Sequence, residues 1–210
     1  MAAADLEFVE RLENFAFDTV VNRDDLDART RFMCILAALM GCQEVDTFKV
    51  VSAGALNFGV SALEVNEIIY QGVNYLGLAR ALPFLRRFNE VLEAQGIDLP
   101  FEQQPVAAPD ELLQAGNAAQ IVLFDEGLRT NWEAGDERRR TVNRRIAESC
   151  FGDYYTRGGL TLPQREIIAF CYLAAQGGCE LQLAAHALDN MNSDTTPHSY
   201  TRSYINACPT

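Results

Sequence analysis

The nonapeptide CILAALMGC at residues 34–42 returns as CYLAAQGGC at residues 171–179, with six of nine positions identical and a cysteine at both ends of each copy. An internal repeat constrains a fold strongly, because both copies must build the same local unit and then bury their apolar faces against each other. The similarity extends upstream: FDTVVNRDDL and FGDYYTRGGL share Phe17 with Phe151, Arg23 with Arg157 and Leu26 with Leu160 at identical spacing. Between that leucine and the first cysteine the second copy carries three extra residues, and GALNFGV at 54–60 has a degraded counterpart in DNMNSDT at 189–195. Each unit reads as a helix, a short turn, a long apolar helix and a further helix pair.

Alternating β-branched runs bounded by turn pairs are absent, so the pattern predicts an all-α chain. Phe32, Ile35, Leu36 and Leu39 recur three and four apart, which predicts one buried face over residues 26–40. In LNFGVSALEVNEII a helix should end near Gly59, with Ser61 as the next N-cap and Glu64 completing a capping box. The helix that follows should run from about Ala62 to Glu93, bent or broken near Gly77 and Pro83. GIDLPFEQQPVAAPDE (96–111) holds three of the seven prolines and reads as a linker, followed by a connecting helix over 110–128. The expected organisation is a first repeat over 5–95, a linker and connecting helix over 96–135, and a second repeat over 136–210 that begins near Glu137. The two repeats should pack as one globular unit, the second truncated.

Charge and cysteine usage narrow the function classes. A net charge of −12 repels phosphate backbones, so nucleic acid is not an expected partner. No run approaches the ~18 apolar residues of a membrane span, and acids occupy the N-terminus where a secretory signal has a basic start, so a cytoplasmic location is expected. Six cysteines without a CxxC, and only two histidines, point to reduced, mostly buried thiols rather than disulfides or structural zinc. No metal or other cofactor is expected. Arg138, Arg139, Arg140, Arg144 and Arg145 cluster in DERRRTVNRR, either as a solvated helix face or as an anion-attracting rim over a carboxylated substrate.

In the second copy, REIIAFCYLAAQGGCELQLAAH carries Glu166, Cys179 and His186. On a continuous helix Cys179, Gln182 and His186 stand at i, i+3 and i+7 and should project from one face. An imidazole within reach can activate a thiol or act as acid and base itself, and a carboxylate can orient the ring. The competing reading is a histidine satisfied within the core.

GCELQLAAH followed by LDNMN, GALNFGVSALEVNEIIYQGVNYLG in the first copy, and FGDYYTRGGLTLPQRE resemble the carboxymuconolactone decarboxylase family, which includes alkylhydroperoxidase D-type proteins. The resemblance spans both copies, about two thirds of the chain. It implies an all-α fold of short helices that assembles into trimers or hexamers, with active sites between helices or subunits. Cys179 falls on the first cysteine of the peroxidase branch, Gln182 on the second, His186 on its histidine, and Glu166 within one residue of its glutamate. The decarboxylase branch lacks the cysteine pair and keeps the histidine. Gln182 cannot act as a resolving thiol, and Cys171 on the same run lies ~12 Å from Cys179, beyond the ~7 Å Cα limit for a bridge; Cys150 remains available.

In the first copy, counting seven from Cys42 reaches Lys49, counting back from the turn glycine reaches Val51, and Thr30 stands where the second copy has Glu166. The first copy therefore reads as scaffold, with Lys49 or Glu44 as its alternative working groups. After His186, Asp194 replaces the turn glycine and no long helix follows, so the second pocket should be incomplete unless another subunit or the first repeat covers it. The resemblance implies a homo-oligomeric lyase for a small carboxylated lactone or related acid. In that reading His186 is the acid/base, Glu166 orients it, and Gln182, Arg140 and Arg144 hold the substrate. The alternatives are a thiol-dependent peroxidase using Cys179, His186 and Glu166, and a non-catalytic oligomeric scaffold.

Overall fold

Asp27, Ser61, Asp136 and Thr161 each accept a backbone N–H at the start of a helix and so set where the helices begin. The computed structural model describes residues 5–14, 26–104 and 107–192, and among these the chain is all helical. Its helices are α1 (Leu6–Glu13), α2 (Ala28–Gly41), α3 (Val45–Asn57), α4 (Ala62–Leu76), α5 (Leu78–Ala94), α6 (Leu112–Leu123), α7 (Glu137–Arg145), α8 (Leu162–Gln176) and α9 (Glu180–Asn192). A 3₁₀ segment (Glu126–Glu133) precedes α7, and a π-helical segment (Ile146–Tyr154) continues it. Phe17, Arg23, Asp194 and His198 lie outside the described residues. No described helix is long and apolar enough to cross a membrane.

The two copies of the nonapeptide lie on α2 and α8, and these helices pack directly on each other. The approach is close enough that a Cβ on Gly41 would sit 2.7 Å from the Ala175 Cβ and 2.9 Å from the Tyr172 carbonyl. Residues of both copies fill one core, including Met33, Leu36, Met40, Phe48, Ile68, Phe84, Phe88, Ile168 and Tyr172. Each of the large apolar side chains among these contributes about 1.5–3 kcal/mol on burial. The stripe expected on α2 is displaced: Phe32, Ile35 and Leu39 are only partly buried, while Met33, Cys34, Leu36, Ala37 and Met40 are fully enclosed. The reason is that α2 is a central helix, packed by α3, α4 and α8 at once, so no single face carries the burial.

Ser61 caps α4 through the expected capping box: its hydroxyl accepts from Glu64 N at 3.2 Å, and its own N–H reaches Glu64 Oε2 at 2.8 Å. The long helix is broken at Gly77, whose φ of +91° disfavours any residue with a Cβ. Pro83, by contrast, lies inside α5 without breaking it. The carbonyl that loses its N–H partner belongs to exposed Ala79, where water can take over the bond.

The connecting helix is shorter than expected, Leu112–Leu123, and it lies against the π-helical segment along two glycines. A Cβ on Gly116 would meet the Ala147 carbonyl at 1.9 Å, and one on Gly152 would meet the Leu112 carbonyl at 2.2 Å. This backbone-to-backbone approach brings Leu123, Phe151 and Tyr155 into a small second cluster beside Tyr75, Phe124, Cys150 and Leu162.

Candidate functional site

Thr161 and Gln164 form a second capping box at the start of α8, which turns Arg165 and Glu166 inward where both are fully buried. From α9, Leu183, His186 and Ala187 form the covered stripe, and the His186 ring reaches Glu166 with Nδ1 2.6 Å from Oε2. The other carboxylate oxygen, Oε1, accepts from the Tyr155 hydroxyl at 2.7 Å. Tyr155 and Tyr75 hydroxyls are 2.6 Å apart. The rings of Tyr75 and Phe124 stand edge-on to the imidazole at 5.6 and 5.9 Å.

Donor and acceptor roles follow from the carboxylate, which only accepts. His186 Nδ1 therefore carries its proton toward Glu166, and the lone pair of the neutral ring lies on Nε2. Tyr155 spends its hydroxyl proton on Glu166, so Tyr75 donates to the Tyr155 oxygen. Burial, reinforced by Cys150 and Glu166, holds the Tyr75 phenol well above its ordinary range; burial with Glu166 alongside does the same to Tyr155. Both phenols are thus permanent donors at neutral pH. Burial pushes the Cys150 thiol up to about 12, so it is a poor nucleophile and a poor resolving thiol.

A buried ionic cluster fastens this arrangement to the first copy. Arg157 grips Glu67 through Nε at 3.0 Å and a terminal nitrogen at 2.8 Å, and Arg165 reaches the same carboxylate at 3.2 Å. Gln71 donates to the Arg165 carbonyl at 2.7 Å and accepts from its guanidinium at 3.2 Å. Burial draws the Arg165 guanidinium down against the opposing pull of Glu67. Glu67, Gln71 and Tyr75 stand four residues apart on α4, so one helix face of the first copy holds α8 and supplies a hydroxyl to the site.

Of the expected site residues, Glu166 and His186 meet and the others do not join them. Cys179 precedes α9, and its Sγ lies 3.3 Å from the Leu173 carbonyl and 3.6 Å from Gln176 Nε2. Gln182 is exposed, because the face of α9 that is covered runs through positions 183, 186 and 187. Arg140 donates to the Gly135 carbonyl at 2.7 Å and Arg144 pairs with Glu148 at 2.8 Å; both are exposed on α7, which packs on the 3₁₀ and π-helical segments. The arginine run is a solvated helix face. In the first copy Lys49 pairs with Glu90 at 2.7 Å, and Glu44 is exposed. Counting back five from Cys34 and from Cys171 sets Arg29, not Thr30, opposite Glu166; Arg29 pairs with Glu64, and Thr30 bonds the cap residue Asp27.

Tyr155, Tyr75 and Phe124 are the participants that sequence reasoning passed over. Tyr155 had a signal: it stands where the first copy has Val21, an apolar-to-polar difference between the copies. Among the described residues no group of three or more His, Cys, Asp or Glu side chains is placed to hold a metal ion.

Residues 7–90 match the carboxymuconolactone decarboxylase family. The matched segment ends within α5; it includes Glu67, Gln71 and Tyr75 but not Tyr155, Glu166 or His186. No curated protein matches the chain.

Proposed function

From the match of residues 7–90 to the carboxymuconolactone decarboxylase family, we propose that the chain is a decarboxylase-like lyase for a small carboxylated lactone or related acid, with His186 as the proton-transfer group. The observation that carries this reading is the 2.6 Å contact between His186 Nδ1 and Glu166, braced by Tyr155. Loss of CO₂ from such an acid leaves an electron pair delocalised onto a conjugated oxygen, and turnover requires a proton delivered to carbon. A carboxylate on Nδ1 fixes the ring and stabilises its imidazolium form, so Nε2–H can give that proton and recover it from water.

The peroxidase reading has less support. It needs Cys179 as a thiolate near His186 and a second thiol to resolve it. Cys179 instead lies against the Leu173 carbonyl, and exposed Gln182 occupies the position of the second cysteine.

The test is consumption of a carboxymuconolactone-type substrate by purified protein without added cofactor, followed by the absorbance of the conjugated product. Turnover by the wild type that His186→Ala abolishes supports the lyase. An unreactive wild type, under conditions where a decarboxylase of the family reacts, refutes it. Peroxide consumption with preferential sulfenic-acid formation at Cys179 would then favour the thiol reading.

A further inference from the structure

We propose that Tyr75, on α4 of the first copy, is a positioning residue for the His186–Glu166 pair of the second copy, acting through Tyr155 to lower the basicity of the imidazole. The inference rests on reading His186 as the proton-transfer group and extends the site into the half of the chain that shows no acid–base pair of its own at the matching positions.

The geometry is a directed chain of short bonds. Tyr75 and Tyr155 hydroxyls are 2.6 Å apart, Tyr155 donates to Glu166 Oε1 at 2.7 Å, and His186 Nδ1 meets Oε2 at 2.6 Å. A hydrogen bond to a carboxylate is strongest when nothing else neutralises that carboxylate. The Tyr155 bond therefore favours the state in which His186 is neutral. A donor on the Tyr155 oxygen polarises its O–H and strengthens the next bond along the chain. Tyr75 is that donor.

Tyr75 is also held in place from behind. Gln71 and Glu67, one and two turns earlier on the same face of α4, are locked to Arg165, whose guanidinium stands 5.9 Å over the Tyr155 ring. Among the described residues, the titratable and charged groups around the imidazole include Glu166 and, beyond it, Arg165 from α8, Tyr75 from α4, and Tyr155 with Cys150 from the π-helical side; α6 contributes the apolar Phe124 ring. Among the described residues, Tyr75 and Tyr155 connect to Glu166 as a relay of hydroxyls.

The experiment is an NMR titration of the histidine rings in the full chain without substrate. The chain has two histidines, and a His198→Gln variant identifies the His186 signal. Tyr155→Phe should raise the His186 pKa by about half a pH unit or more, given the strength of hydrogen bonds to charged groups. Tyr75→Phe should raise it by less, and should add nothing in the Tyr155→Phe background, the signature of action through one shared partner. Tyr172→Phe serves as the control. That hydroxyl ties α8 to the Ile68 carbonyl on α4, so its loss should weaken the fold without moving the His186 titration. A His186 pKa unmoved by Tyr75→Phe, or moved equally in both backgrounds, overturns the proposal. Because the readout needs no turnover, an inactive wild type would refute the lyase reading while leaving this result to stand on its own.

Discussion

Lys49 and His186 each stand seven residues beyond the second cysteine of their nonapeptide, on helices that follow α2 and α8 in the same order. Lys49 meets Glu90 at the surface, where both side chains are more than 40% exposed; His186 meets a buried Glu166. The Lys49 hydrogen bond holds the Glu90 carboxyl below its ordinary range, but solvent screens what this pair contributes. Glu166 and His186 are roofed by Tyr75 from α4 and Phe124 at the end of α6. Among the described residues the corresponding helix of the first copy, α3, lies against α2 and α5, and Lys49 stays open to solvent. Equivalent positions thus diverged in chemistry because they diverged in what covers them. The first copy supplies the helix face that holds α8 and covers the Glu166–His186 pair.

Substitutions at matched places can break or sharpen this contrast. The largest expected effect is at the ionic cluster. Glu67→Gln leaves Arg165 buried without its counter-charge and should cost ~3–5 kcal/mol in urea unfolding, whereas Glu90→Gln should leave the midpoint nearly unchanged. Equal effects at the two sites would dissolve the distinction between a bolted and a solvated copy.

Glycines offer the next comparison. Gly152→Ala forces a Cβ to within 2.2 Å of the Leu112 carbonyl, and overpacking of this kind against backbone should cost about 3 kcal/mol. Gly54→Ala, in the interior of α3, meets only Phe32 at 3.9 Å and should stabilise by up to ~1 kcal/mol through helix propensity. Thermal unfolding of the two variants should therefore shift in opposite directions.

Activity provides a third contrast. In the substrate assay, His186→Ala should lower kcat/KM about 100-fold or more, and Lys49→Ala should not change it. Comparable losses at both would return the first copy to the list of working sites.

Alkaline stability is the subtlest expectation. In the fold Cys150 keeps its proton up to about 12, against an ordinary thiol value of 9.0. A folded pKa above the unfolded one contributes stability that is fully present below pH 9 and is lost as pH rises toward 12. The buried phenols of Tyr75 and Tyr155 act in the same direction. Melting temperatures should fall through that window, and Cys150→Ala should flatten the fall; an unchanged slope would remove Cys150 from the relay's surroundings.

Much of this was legible in the chain itself. The capping box at Ser61 and Glu64, the break at Gly77 and the helix from Glu137 are local events decided within a few residues, and they appear where expected. Periodicity misplaced the buried face of α2, because three neighbours surround that helix and a stripe presumes one. It also grouped Gln182 with His186, since positions 40° apart on a helical wheel share a face until a neighbour covers one and leaves the other to solvent. The arginine run offered two readings, and only the packing of α7 on the 3₁₀ and π-helical segments separated them. Tyr75 was hidden for a different reason: its partner Tyr155 is eighty residues away.

What the residues determine alone is a helical chain with a repeated nonapeptide, and the presence of Glu166 and His186 around one copy where the other has Arg29 and Lys49, because helix periodicity and capping act over short stretches of chain. Which copy encloses a carboxylate–imidazole pair was decided by tertiary structure. Burial and hydrogen-bond partners depend on the glycine-lined approach of α6 to the π-helical segment and on the docking of α4 against α8, contacts made between residues far apart in the chain that short-range patterns do not encode.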